Sequence, residues 1–196
     1  MSPFFFNTYD GENYLVEDQS KNDWKRTQSK YEKFSTNFKV SSKEQKSLEY
    51  YLGAGFSSIR QYINRVSKQE KPSGPMVEYT KGVIKDVSGL IEKNKIDHDI
   101  VLSRRIDING VWAPEAVNRF MSLKEGDVYE EESFASYSMA QLSDFGEFQV
   151  TLLAKKGQNI ANIQGLEGEF EYLANKNTKY RVIGRGFNSV VVEMVD

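Results

Sequence analysis

GEFEYLANKNTKYRV, residues 168–182, places two acids, Glu169 and Glu171, two positions apart in a run of aromatic and β-branched residues. In an extended chain successive side chains alternate between faces, so Glu169 and Glu171 share one face while Phe170 and Tyr172 take the other. Acids on a strand face are usually just solvated. Whether this pair serves chemistry depends on what surrounds it.

Around it the chain reads as strands. DIVLSRRIDI, EFQVTLLA, QNIANI, EFEYLA, KYRVIG and NSVVVEMV are short runs rich in Val, Ile, Phe and Tyr, separated by Gly, Asn, Lys and Asp. One helix, APEAVNRFM, interrupts them, with Pro114 in its first turn. From Asp18 to Asn94 the pattern is helical: Trp24, Tyr31 and Phe34, then Leu48, Tyr51 and Leu52, then Ile59, Tyr62, Ile63 and Val66 recur at helical spacing. KQEKPSGP closes one helix, and the next starts near Met76 and carries Val77, Val83, Ile84, Val87 and Leu90. Helices followed by strands predict an α+β domain and argue against alternating βαβ units.

Composition narrows the chemistry. The 196 residues carry a net charge of −2, which gives no electrostatic reason to expect nucleic acid or an anionic membrane as partner. There is no cysteine, and His98 is the only histidine, so thiolate and multi-histidine metal sites are excluded and no metal is expected. His98 is expected at the surface. No segment has the length of apolar sequence that a membrane span needs, and the FFF run near the N-terminus lacks the flanks of a signal peptide. GAGF at 53–56 follows a helical pattern instead of a strand, so it reads as a helix–helix turn and not as a phosphate loop.

The pattern that remains is spread along the chain: Arg104 in DIVLSRRI, Ser136 and Ser138 in SFASYS, and the Glu169/Glu171 pair before KYRV. This order resembles the mono-ADP-ribosyltransferase exoenzymes, in the branch marked by an Arg, a Ser-Thr-Ser and a Glu-x-Glu motif. That branch includes bacterial toxins and phage-encoded transferases. Upstream, YLGAGFSSIRQYI at 51–63 matches the family's Y-T-x-x-x-Y-x-x-I-N-x-x-L helix at Tyr51, Phe56, Ile59 and Ile63. The resemblance covers roughly residues 43–195.

The resemblance implies a two-sheet β core with an N-terminal helical region. It implies a catalytic domain over 43–196, with residues 1–42 an N-terminal segment packed on it. It also implies that NAD is the substrate and that ADP-ribose passes to an arginine of a target protein. Glu171 would face the oxocarbenium-like transition state as the nicotinamide–ribose bond breaks. Ser136 would orient Glu171, and Ser138 would support the site. Arg104 would grip the phosphates through its fork of donors, with Arg105 beside it. Glu169 aligns with the position where Glu accompanies arginine modification and Gln accompanies other acceptors.

The sequence departs from the pattern in places. Arg60 replaces an Asn that faces the cofactor; its side chain either reaches a phosphate or is solvated. Tyr137 replaces the middle Thr. Phe145 either flanks nicotinamide or packs in the core, and Tyr51 has the same choice between stacking on the cofactor and packing. Leu166 stands where arginine-modifying actin toxins often carry an aromatic, which weakens actin as target. Two alternatives share the fold: an NAD glycohydrolase, with water as acceptor, and a binding module without turnover. The expected setting is that of a soluble toxin or effector, secreted, injected or phage-encoded.

Overall fold

The structure, a computed structural model, describes residues 38–106, 114–139, 148–163 and 171–195. The helical pattern expected around Trp24, Tyr31 and Phe34 lies outside them, as do Phe145, Leu166 and Glu169.

Helix α1 is Ser42–Tyr50, α2 is Phe56–Ser67, α3 is Val77–Lys93 and α4 is Pro114–Ser122. Ser41 starts α1 with a capping box: its hydroxyl accepts from the Glu44 amide, and the Glu44 carboxylate accepts from the Ser41 amide. A single π-helical turn, Tyr51–Gly55, joins α1 to α2 where the sequence predicts a helix–helix turn. Glycine is required within it, because a Cβ on Gly55 would collide with the ring and carbonyl oxygen of Tyr50. Helix α3 is fastened to α1 by Lys43 Nζ–Asp86 Oδ1 at 2.6 Å, Ser47 Oγ donating to Asp86 Oδ2 at 2.8 Å, and Lys93 Nζ–Glu44 Oε1 at 2.7 Å.

The strands are β1 (Ile100–Ile106), β2 (Val128–Glu131), β3 (Ala135–Ser138), β4 (Phe148–Ala154), β5 (Ile160–Asn162), β6 (Glu171–Ala174), β7 (Thr178–Arg185) and β8 (Ser189–Val195). They are hydrogen-bonded in the order β2-β7-β8-β4-β1-β3-β6-β5, antiparallel throughout except for the parallel pair β4/β8. Strand β2 is an addition to the sequence reading: VYEE carries too little apolar residue to stand out, and its pairing with β7 is made far along the chain.

The link between β1 and β3 is one register pair, Ser103 with Ser138, whereas β1 and β4 share seven. At that weak link the sheet folds over on itself. Strands β3 and β7 are four places apart in the order, about 19 Å in a flat sheet. Yet the rings of Tyr137 on β3 and Tyr180 on β7 are 6.3 Å apart. Five strands therefore face three across a common core, in which Ile100, Leu102 and Phe148 from one side meet Tyr137, Tyr172 and Ala174 from the other. The expected two-sheet arrangement is present.

A second core lies on the outer face of the smaller sheet. There Phe134, Ala161 and Leu173 meet Leu48, Tyr51, Ile59 and Ile63 from the first helices and Val83, Val87 and Leu90 from α3. Each burial periodicity thus has its counterpart surface: i, i+4 on α2 and alternate residues on β3 and β6.

Candidate active site

The pleat assigns the candidate side chains to their faces. On β3, Ala135 and Tyr137 point into the core between the sheets, so Ser136 and Ser138 point to the helix side; on β6, Tyr172 and Ala174 point between the sheets, and Glu171 shares the helix-side face with Leu173. Ser138 is in register with Glu171 on one side and with Ser103 on the other. The Ser136 hydroxyl donates to Glu171 Oε1 at 2.5 Å. Glu171 is only 6% exposed, so that bond operates with little competition from water.

Arg104 and Arg105 occupy opposite faces of β1. Arg105 shares the face of Ser103, whereas Arg104 follows Leu102 into the space between the sheets, where its side chain is 13% exposed. Its guanidinium meets the carboxylate of Glu131, both terminal nitrogens lying 3.4 Å from Oε1. The tyrosines of this space line the same slot, and burial, offset in part by Arg104, pushes the Tyr137 hydroxyl up to about 12. Burial opposes the charge on Arg104, but Glu131 outweighs it, together with the tyrosines, and raises the guanidinium above its ordinary value.

Arg60 projects from α2 toward the same carboxylate, with Nη2 3.8 Å from Glu131 Oε1. Its side chain is 45% exposed, so one part reaches the carboxylate while another meets solvent. Of the two alternatives read from the sequence, solvation is met in part, and in place of a phosphate the guanidinium faces the Glu131 carboxylate. The Arg60 guanidinium is held below its ordinary value, first by burial and then by the charge of Arg104. Tyr51, in the π turn, is 2% exposed and packs edge-on against Phe134, with ring centroids 5.3 Å apart. Its hydroxyl is buried without a hydrogen-bond partner. Burial and then the Glu171 charge push it well above the ordinary tyrosine range, while Arg60 and Arg104 pull the other way. One tyrosine hydroxyl thus feels Glu171, Arg60, Arg104 and Glu131 together.

Glu131 is the residue that the sequence reading missed. Alternation over VYEE puts Tyr129 and Glu131 on one face, and both are buried. That period of two is the signal, hidden by three consecutive acids at 130–132 that read as a solvated run. His98, expected at the surface, is 21% exposed with Nδ1 2.6 Å from Asp97 Oδ1. Among the described residues no group of three or more His, Cys, Asp or Glu is placed to hold a metal ion. No described helix is long and apolar enough to cross a membrane.

A separate cleft of about 900 Å³ opens at the far end of β6, between α3 and β7, lined by Lys85, Ser88, Asn175, Lys176 and Lys179 among others. It contains none of the residues just described.

Residues 21–195 match the family model described as ADP-ribosyltransferase exoenzyme. The chain belongs to that family. Among curated relatives of this exoenzyme-family chain is NAD(+)--arginine ADP-ribosyltransferase EFV of Enterococcus faecalis (strain ATCC 700802 / V583), 26% identical over 131 residues, which cover 61% of this chain and 25% of the relative. Among solved structures, the ADP-ribosylating toxin BECa of a C. perfringens binary enterotoxin, determined with NADH, superposes with a TM-score of 0.70 at 17% identity, covering 93% of this chain and 50% of that one. The Clostridium limosum C3 exoenzyme superposes with a TM-score of 0.69 at 15% identity, covering 94% of this chain and 98% of that one. At such identities the superpositions establish the exoenzyme fold. The chain spans a quarter of the curated relative's length and half of the BECa chain.

Proposed function

We propose that this exoenzyme-family chain is an NAD-dependent mono-ADP-ribosyltransferase that modifies arginine on a target protein, acting as a toxin or effector. The observation that carries the reading is the bond from Ser136 Oγ to Glu171 Oε1 at 2.5 Å, on the strand pair beside the sheet junction. A carboxylate fixed in orientation and shielded from water is what an oxocarbenium-like transition state needs, since its stabilisation grows as charge develops at the reacting carbon.

In the proposed reaction the bond between the ribose C1′ and the nicotinamide nitrogen breaks, and nicotinamide leaves neutral with the bonding electrons. Positive charge then develops on the ribose opposite Glu171. A guanidinium nitrogen of the acceptor forms the new bond to C1′, and its proton passes to Glu169. Arg104 and Arg60 supply cationic forks for the two phosphates, with Arg105 and Ser138 nearby on the Glu171 face and Tyr51 beneath. Phe145, outside the described residues, is the candidate to flank nicotinamide, with the core as its alternative. Support for arginine comes from Glu169, the first acid of the Glu-x-Glu pair, and from the name borne by the Enterococcus relative. The catalytic domain is assigned to 43–196, with residues 1–42 as an appended segment.

Nicotinamide release from NAD, measured with and without agmatine, tests the assignment. Wild type should release nicotinamide and attach ADP-ribose to agmatine. Glu171→Gln should lose both reactions by about 100-fold or more. Glu169→Gln should lose only the transfer. Equal loss of hydrolysis in both variants, with their folds intact, would refute the division of labour, and hydrolysis without any transfer would make the protein an NAD glycohydrolase.

A further inference from the structure

We infer that Glu131 is a positioning residue for the dinucleotide site: it holds Arg104 and Arg60, from opposite sides of the sheet junction, as one clamp for the pyrophosphate. The inference rests on the NAD reading above and adds to it a residue outside the Arg, Ser-x-Ser and Glu-x-Glu motifs and the upstream helix quoted for the resemblance.

The two arginines come from unrelated parts of the fold. Arg104 enters from β1 through the tyrosine-lined space between the sheets, and Arg60 comes down from α2 on the helix side. Their meeting point is a single oxygen, Glu131 Oε1, 3.4 Å from Arg104 and 3.8 Å from Arg60. Glu131 sits at the end of β2, 7% exposed, its backbone fixed by pairing with Thr178 on β7. The chain then crosses to the other sheet and starts β3 at Ala135, four residues on, so the carboxylate belongs to the segment that bridges the two sheets.

Charge and distance together point to a clamp and not to a closed ion pair. One carboxylate faces two guanidinium groups, so the three groups carry an excess positive charge. The separations exceed the roughly 2.7–2.9 Å of a saturated charge-assisted bond. Each guanidinium has five donors; Glu131 Oε1 and, for Arg104, the Tyr137 hydroxyl occupy only some of them. An anion with several oxygens and two charges, such as a pyrophosphate, matches what is left over.

The sign of the effect separates positioning from simple compensation. If Glu131 only neutralised charge, its removal would strengthen the attraction for phosphate and NAD would bind more tightly. If it positions, removal frees Arg104 from its slot and Arg60 from its partner, and NAD binds less tightly in spite of the gain in positive charge.

The test measures NAD binding by calorimetry without acceptor, and steady-state NAD hydrolysis, for wild type, Glu131→Gln and Glu131→Asp, with melting curves on each. Glu131→Gln should raise the dissociation constant and KM for NAD about tenfold with kcat within about threefold, the split expected when ground and transition states lose the same binding. Glu131→Asp, which keeps the charge and draws it back by one carbon, should fall between the two and serves as the measurement if the Gln variant does not fold. Unchanged or tighter NAD binding in folded variants, or a loss confined to kcat, would overturn the inference and leave the NAD reading standing. A wild type that neither binds nor hydrolyses NAD would instead overturn the NAD reading, and this inference with it.

Discussion

Ser136→Ala removes one oxygen and tests how the Glu171 carboxylate is held for its proposed role. In the wild type the Ser136 hydroxyl donates to Glu171 Oε1 at 2.5 Å, and the acceptor is 6% exposed. A hydrogen bond to a charged group contributes about 1.5–3 kcal/mol. Water has poor access to replace it. If the carboxylate must be oriented only when positive charge develops on the ribose, that loss falls on the transition state, and at about 1.4 kcal/mol per factor of ten kcat should drop roughly 10- to 100-fold. KM for NAD should stay within about threefold, because the interaction is not one that holds the phosphates. The assay is nicotinamide release at saturating and limiting NAD, with Ser136→Thr as the variant that restores a hydroxyl. Ser138→Ala is the comparison: Ser138 is in register with Glu171 but is not the donor in that bond, so its loss should cost less. A Ser136→Ala enzyme with full kcat, or one whose defect lies only in KM, would refute the reasoning.

Two further outcomes follow from the helical layer. Glu44, bonded first to Lys93 and then to Ser41, has its carboxyl held down from the ordinary 4.5 to about 2. A carboxyl lower in the folded state stabilises the fold above its unfolded value and loses that contribution as pH falls toward the folded one. Lys93 is half exposed, which discounts the full shift, so Glu44→Gln should cost about 1–2 kcal/mol at pH 7. In urea unfolding the gap from wild type should shrink below pH 4.5 and close near pH 2; a gap independent of pH would contradict it. Gly55→Ala drives a Cβ into the Tyr50 ring and carbonyl, and overpacking of this kind costs about 1–3 kcal/mol. Because Tyr51 opens the same turn, thermal melts should show the loss and KM for NAD should rise with it; an unchanged melting temperature would contradict the collision.

What the sequence made legible was local periodicity. The alternation in DIVLSRRI, SFASYS and KYRV set out the strands, but that Arg104 lies on the other face from Ser103, Arg105 and the motif serines follows only from the pairing of β1 with β3. The buried positions Ile59 and Ile63 fixed one side of α2. Whether the neighbouring Arg60 reaches inward or outward depended on a partner on another element, which no helical period reveals. Glu131 was illegible for the same reason: its role depends on the closure of the two sheets, a contact between β3 and β7 that arises from the single register pair linking β1 and β3. Strand β2 has little intrinsic signal, and its four pairs with β7 bring together segments about fifty residues apart. Nonlocal pairing also hid the parallel contact of β4 with β8, since parallel neighbours need not be adjacent in sequence.

The central claim is that Glu171 directs ADP-ribose from NAD onto arginine. It is tested most directly by incubating a cell lysate with NAD and the protein, wild type or Glu171→Gln, and mapping ADP-ribosylated peptides by tandem mass spectrometry. Wild type should give adducts on arginine, and Glu171→Gln should lose them. Adducts confined to asparagine or glutamine would contradict the acceptor assignment, and arginine adducts undiminished in Glu171→Gln would contradict the catalytic site itself.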